Sequence, residues 1–179
     1  MRLEIHNYLS GSFLLESEPN CWDAIVILDS SLSESQFVDD HAQRSLQLRF
    51  DDITQSVENK IIPSSELIEK ALDFGLESEK LMVCCRAGQS RSSATAFSIA
   101  FEKLGDDAAL KLLNPKRHSP NFRVIQIANE LVERPGLLNL YDQWGFSIRD
   151  QRLTDYLDEI EAEYDKLEEL GARDRISKK

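Results

Sequence analysis

The sequence has no long apolar run. Stretches such as Ala24 to Leu28 (AIVIL) are typical, and they fall far short of the roughly 18 residues a membrane span needs. The first residues, MRLEIHNYLSGSF, carry neither the apolar core nor the small-residue cleavage site of a signal peptide. A cytoplasmic protein with no membrane association is therefore expected. Positive charge is also scarce. With 21 Lys and Arg against 32 Asp and Glu, the formal net charge is -11. That balance argues against general affinity for nucleic acid or anionic membrane, because both need clustered cations. A phosphorylated substrate stays compatible, since a site can be locally positive on an acidic protein. The three cysteines, two of them adjacent, make no disulfide framework. No Cys-x2-Cys pair with distant His is present, so zinc is not expected. Internal repeats and low-complexity segments are absent.

What remains is the composition of a soluble globular chain, 41% hydrophobic and 30% charged. Its length of 179 residues allows one ordinary domain, or one domain with an appendage. Arg2 to Leu9 alternates loosely, Asp23 to Ser30 reads as a buried parallel strand, and Ser45 to Phe50 alternates apolar with polar. A helix follows Pro63, capped by Ser64 or Ser65, with Leu67, Ile68, Ala71, Leu72 and Leu76 at helical spacing. Lys80 to Cys85 is another short buried strand, and helical patterns dominate from Arg91 onward. Strands joined by helical crossovers predict an α/β fold with a central, mainly parallel sheet flanked by helices. Residues 1–134 are expected to form this domain. Residues 135–179 are expected to be a connector followed by a charged helix, about Arg149 to Leu170, packed back on it. That helix carries an apolar stripe of Leu153, Tyr156, Leu157, Ile160, Tyr164 and Leu167, and the final RDRISKK is expected to fray.

The informative segment is Val83 to Ala94, VCCRAGQSRSSA. A buried strand ends at Cys85, five residues follow, and Arg91 opens a helix. Five residues can curl into a cradle whose backbone N–H groups point inward, and the helix behind adds its positive end. Gly88 offers a position free to take φ > 0. A tetrahedral anion held there meets Arg91, whose planar fork binds two oxygens at once. The same positive field favours a thiolate at Cys85. Nucleophile and anion site then coincide, as phosphoryl transfer through a cysteinyl-phosphate requires. A buried, inert position is the commonest fate of a free cysteine, and a cation at a helix start is disfavoured without an anion nearby. Both at this spacing favour the functional reading.

Cys85-Arg86-Ala87-Gly88-Gln89-Ser90-Arg91-Ser92 matches Cys-x5-Arg-Ser/Thr and resembles the protein tyrosine phosphatase superfamily, most of all its compact dual-specificity branch. Ser119 to Phe122 (SPNF), opening a helix, resembles the Ser-Pro-Asn-Phe segment that follows the active-site helix in many of those enzymes. The resemblance covers about residues 2–134. It implies a phosphatase-like fold with an extra C-terminal helix, and a cysteine-dependent tyrosine or dual-specificity phosphatase. Cys85 is then the nucleophile, and Arg86, Ala87, Gly88, Gln89, Ser90 and Arg91 hold the phosphate. Ser92 assists departure of the sulfur, and Asn121 braces the loop. No cofactor is implied, because Arg91 and the cradle amides supply the positive charge. The implied partner is a phosphorylated protein rather than a lipid, whose phosphatases more often carry two lysines in the loop.

Two points separate this sequence from the pattern. The family usually has His before the nucleophile, where this chain has Cys84. Adjacent cysteines close a strained ring poorly, so Cys84 is expected to be packed and inert. The family also places an acidic residue about thirty residues before the nucleophile, where RFDDI offers Asp51 and Asp52. Alternation through Leu46, Leu48 and Phe50 aims Asp52 with the apolar face and favours it as general acid over Asp51, with Asp29 a weaker candidate. The alternatives to a phosphatase are a phosphate-binding pseudophosphatase and a sulfur-transfer or arsenate-reducing enzyme.

Overall fold

The run Asp23 to Leu28 is buried at every residue, as a strand covered on both faces must be. A computed structural model of the chain describes residues 1–147, 154–173 and 176–178. Strand β1 (Arg2–Asn7) leads into helix α1 (Tyr8–Ser17), then β2 (Asp23–Leu28), β3 (Leu32–Ser35), α2 (Gln36–His41) and β4 (Arg44–Arg49). After a long loop come α3 (Ser65–Glu77), β5 (Lys80–Cys85), α4 (Arg91–Leu104), α5 (Asp106–Leu112) and α6 (Phe122–Leu131). The chain continues through α7 (Leu137–Ser147), α8 (Thr154–Glu169) and β6 (Ile176–Lys178).

The main sheet has the order β1-β5-β2-β4, and its three pairings are all parallel. Side chains alternate across it. Ile25, Ile27, Val83 and Cys85 face a core shared with α3, α4, α6 and α7. Ala24, Val26, Leu28, Met82 and Cys84 face a smaller core with Tyr8, Leu15, Trp22 and Val38. The adjacent cysteines thus enter opposite layers, and both are free thiols. Helix α4 is buried from Arg91 to Phe101, so its start is fixed beneath neighbouring elements rather than exposed as a fraying end. Gly75 permits the close approach of α3 to α4, because a Cβ there would stand 2.4 Å from Ile99 Cδ1.

Three regions differ from the sequence expectations. Residues 8–17 are helical; Asn7 caps that helix by accepting from the Ser10 N–H at 2.7 Å. The stretch expected as a connector is α7, and Leu137, Leu140 and Trp144 enter the main core from it. Ile176–Lys178, within the tail expected to fray, pairs antiparallel with β3 in a second small sheet. Of the expected C-terminal stripe, Leu153 lies outside the described residues, as do the side chains of Tyr156, Leu157 and Ile160. Among the described residues, no helix is long and apolar enough to cross a membrane.

Candidate active site

Parallel α/β sheets gather their ligands at the carboxyl ends of the strands, where loops and helix starts converge. Here that edge carries Asn7 at the end of β1, Asp29 after β2, Asp51 and Asp52 after β4, and Cys85 at the end of β5. Cys85 is paired in register with Asn7 on one side and Ile27 on the other, which fixes its backbone. It is 2% exposed, at the floor of a pocket of about 400 Å³ lined also by Arg86, Ala87, Gln89, Ser90, Arg91, Asp29, Lys60 and both Asp51 and Asp52. Ser92 Oγ lies 3.1 Å from the Cys85 sulfur.

The loop between them turns through Gly88, at φ +67°. A Cβ at that position would come within 2.7 Å of the Asn7 nitrogen and the His6 carbonyl carbon. Both the dihedral and the contact with β1 therefore require glycine. The last two carbonyls of the loop accept from Ser93 Oγ of α4 and from donors outside the loop. Gln89 O accepts from the Ser119 N–H at 3.0 Å, and Ser90 O from the Asn121 N–H at 3.2 Å. Among the described residues, the backbone N–H groups of Ala87, Gly88, Gln89 and Ser90 donate to no protein acceptor. Carbonyls held and amides free is the arrangement an anion cradle needs.

Arg91 is buried, and its Nη1 is anchored twice: it donates to the Phe50 carbonyl at 2.8 Å and stands 2.6 Å from Asp29 Oδ1. Its Nε is buried without a hydrogen-bond partner. Burial works against the charge on Arg91, yet Cys85, Asp29 and Tyr8 around it outweigh that penalty and raise its pKa. Asp29, ranked last among the acids from sequence, is thus the anchor of the guanidinium.

The two adjacent aspartates are turned to different tasks. Asp52 lines the cradle pocket and accepts from Ser90 Oγ and Asn121 Nδ2, both at 2.7 Å. Asn121 also caps α6 through the Val124 N–H. Asp51 is 4% exposed; it accepts from the N–H groups of Ile61 and Ser30, and Lys60 stands 3.2 Å away. Burial opposes its charge, and those donors outweigh the burial and hold its carboxyl below the usual range. Asp51 ties the 51–61 loop to the sheet edge. Cys84 is fully buried, and burial raises its thiol pKa well above the ordinary value.

Sequence reading missed two groups. Tyr8 is buried beside Arg91, Asp29 and both cysteines, and donates its hydroxyl to the Ile27 carbonyl at 2.7 Å. Asn7, already used as the α1 cap, leaves a buried Nδ2 without a partner beside the β5 end. Neither has a local signal, since each matters only through the β1–β5 pairing. His118 is also buried, with Nδ1 accepting from the Asn114 N–H at 2.9 Å.

Burial, helped by Arg117, pushes the His118 ring down to about 4 from 6.5. Its effect is fully favourable above pH 6.5. As pH falls from 6.5 toward 4 the unfolded chain takes up a proton that the folded chain refuses, so stability falls. The expected loss across that window is about 3 kcal/mol from His118. Half-buried His6, shifted the same way, adds to it. His118→Asn retains an acceptor near Nδ1 and should flatten most of the decline. Urea unfolding at about pH 7 and about pH 4.5 measures this; an equal decline in both proteins would assign the effect to other groups.

The parallel sheet, whose inner strand β5 runs through a Cys-x5-Arg loop into a buried helix, is a fold met in solved structures. No family model and no curated protein matches the sequence. Solved structures do. The chain is similar to the crystal structure of DUSP15, at 17% identity over 80% of this chain and 90% of that one, with a TM-score of 0.52. It is also similar to PTPMT1 in complex with PI(5)P, at 13% identity over 79% and 90%, with a TM-score of 0.49. A third is Tk-PTP in its active form, at 15% identity over 85% and 94%, with a TM-score of 0.41. The DUSP15 likeness gives the fold.

Proposed function

We propose that this chain is a phosphatase that hydrolyses phosphate monoesters, with Cys85 as nucleophile. The observation that carries this reading is the coincidence at one strand–helix junction: a buried thiol under unpaired loop amides, beside an arginine anchored at Nη1 with an unpaired Nε. The thiolate attacks phosphorus, forming an S–P bond as the P–O bond to the leaving group breaks. Asp52 passes its proton to the departing oxygen. Water then attacks the phosphoenzyme and gives its proton to Asp52, while the S–P bond breaks and Ser92 donates to the leaving sulfur. The amides and Arg91 bind the equatorial oxygens throughout.

The substrate class we propose is a phosphorylated protein. A groove of about 540 Å³ continues from the cradle through Asp52 and Ser90, between Val57 and Ile53 on one wall and Phe122 and Tyr141 on the other. Phe122 is 41% and Val57 50% exposed there, and Asp52 is the only charged residue among those described that line it. Such a surface suits a peptide flank better than further phosphate groups, which need cations. Phosphopeptides should therefore be turned over with higher kcat/KM than phosphoinositides in vesicles.

A phosphate-binding module is the second reading, favoured by one observation. Asp52 Oδ1 is engaged by Ser90 and Asn121 in this arrangement, two contacts that brace the loop whether or not Asp52 transfers a proton. Vanadate-sensitive hydrolysis of p-nitrophenyl phosphate by the purified chain decides between the two. Binding of tungstate with no turnover would leave the binding module.

A further inference from the structure

A loop that reserves its amides for an anion must turn carbonyls outward, and a carbonyl without a donor lets the loop relax. Two of the outward carbonyls, Gln89 O and Ser90 O, are held by Ser119 and Asn121 from the loop before α6. At the other end of the loop, Arg86 O accepts from the hydroxyl of Tyr164 at 2.7 Å. Tyr164 lies on α8, 78 residues further along the chain. Its neighbour Glu163 pairs with Arg117 at 2.8 Å, in the loop that supplies Ser119 and Asn121. The first cradle residue and the segment holding the last two are therefore tied to the same turn of one helix. Arg117 is 27% and Glu163 33% exposed, so this tie is partly shielded from solvent.

We propose that Tyr164 is a positioning residue for the phosphate cradle, and that α8 is part of the working site rather than an appendage. The hydroxyl fixes the Arg86 carbonyl outward. The peptide unit is planar, so this fixes the Ala87 N–H on the opposite side, toward the cradle. Glu163 keeps the helix in register with the second support. The proposal rests on the cradle as a phosphate site, and not on turnover.

The test uses the full chain and two readouts that do not need activity. Tyr164→Phe keeps the ring and removes the donor. It should weaken tungstate binding, measured by calorimetry, about threefold to tenfold, the range of one net hydrogen bond. It should also speed hydrogen exchange at the amides of Ala87 to Ser90, with exchange in the sheet unchanged. Glu163→Gln should produce a smaller change of the same kind. If the native chain binds tungstate without hydrolysing phosphate esters, the phosphatase reading fails and the positioning role is still tested by these readouts. Native affinity and native cradle exchange in Tyr164→Phe would overturn the proposal, as would a native chain that binds no tungstate.

Discussion

Cys85→Ser is expected to eliminate hydrolysis, by about 10⁴-fold or more, while tungstate binding stays within a few-fold of the native chain. The substitution exchanges sulfur for oxygen in a 2% exposed position whose neighbours are unaffected by it. Ser92 stays within hydrogen-bonding reach, 3.1 Å from the native sulfur, and Asn7 and Ile27 hold the strand end. The loop amides and Arg91 are untouched, so the anion keeps its partners. What is lost is the nucleophile. A serine hydroxyl needs an adjacent base to attack phosphorus, and the described surroundings of Cys85 offer none placed as one. A stopped-flow burst of p-nitrophenol should vanish in this variant, and no phosphoenzyme should accumulate on acid quench. Turnover within tenfold of native would mean that catalysis does not pass through Cys85.

That the proposed nucleophile and its arginine stand out in the sequence follows from their contiguity. Strand end, five-residue loop, glycine and helix start are one local unit, and the chemistry each step needs restricts the residue type. Elements defined by distant partners were not legible in the same way. Helix α1 is apolar around most of its circumference, so no period of 3.6 marks it, and Gly11 inside it argues against a helix. Helix α7 did carry a signal, Leu137, Leu140 and Trp144 at helical spacing, which Pro135 and Gly136 masked as a break. The β3–β6 pairing joins two short segments more than a hundred residues apart, and neither alternates strongly. Asp29 was ranked low because its partner, Arg91, lies on another strand–helix unit. Tyr164 was read as part of an apolar stripe, and only the folded chain brings its hydroxyl to Arg86. The parity argument for Asp52 extends three residues beyond β4, which ends at Arg49; Phe50, the first of them, still points inward.

That short extrapolation leads to the second large effect, at the acid. Asp52→Asn should slow hydrolysis of alkyl and simple aryl phosphates by about 10²- to 10⁴-fold, the range for removing one proton-transfer group. The amide oxygen of Asn can still accept from Ser90 Oγ and Asn121 Nδ2, the two donors now on Asp52 Oδ1. Local structure should therefore survive, and the loss reads the proton rather than the scaffold. The defect should shrink as the leaving group becomes more acidic, because such groups depart without protonation. A plot of log kcat/KM against leaving-group acidity should be steeper in Asp52→Asn than in the native chain. Asp51→Asn should behave in the opposite way. Asp51 accepts from Ile61 and Ser30 N–H groups on different oxygens, and an amide offers only one acceptor. That variant should unfold at lower urea, with about 1.5–3 kcal/mol lost for a hydrogen bond to a charged group, and keep its leaving-group slope. If the slope changes in Asp51→Asn and not in Asp52→Asn, the acid is the buried residue and the 51–61 loop must open during turnover. If it changes in neither, the proton comes from another group, and Asp29, 17% exposed on Arg91, is the next to replace.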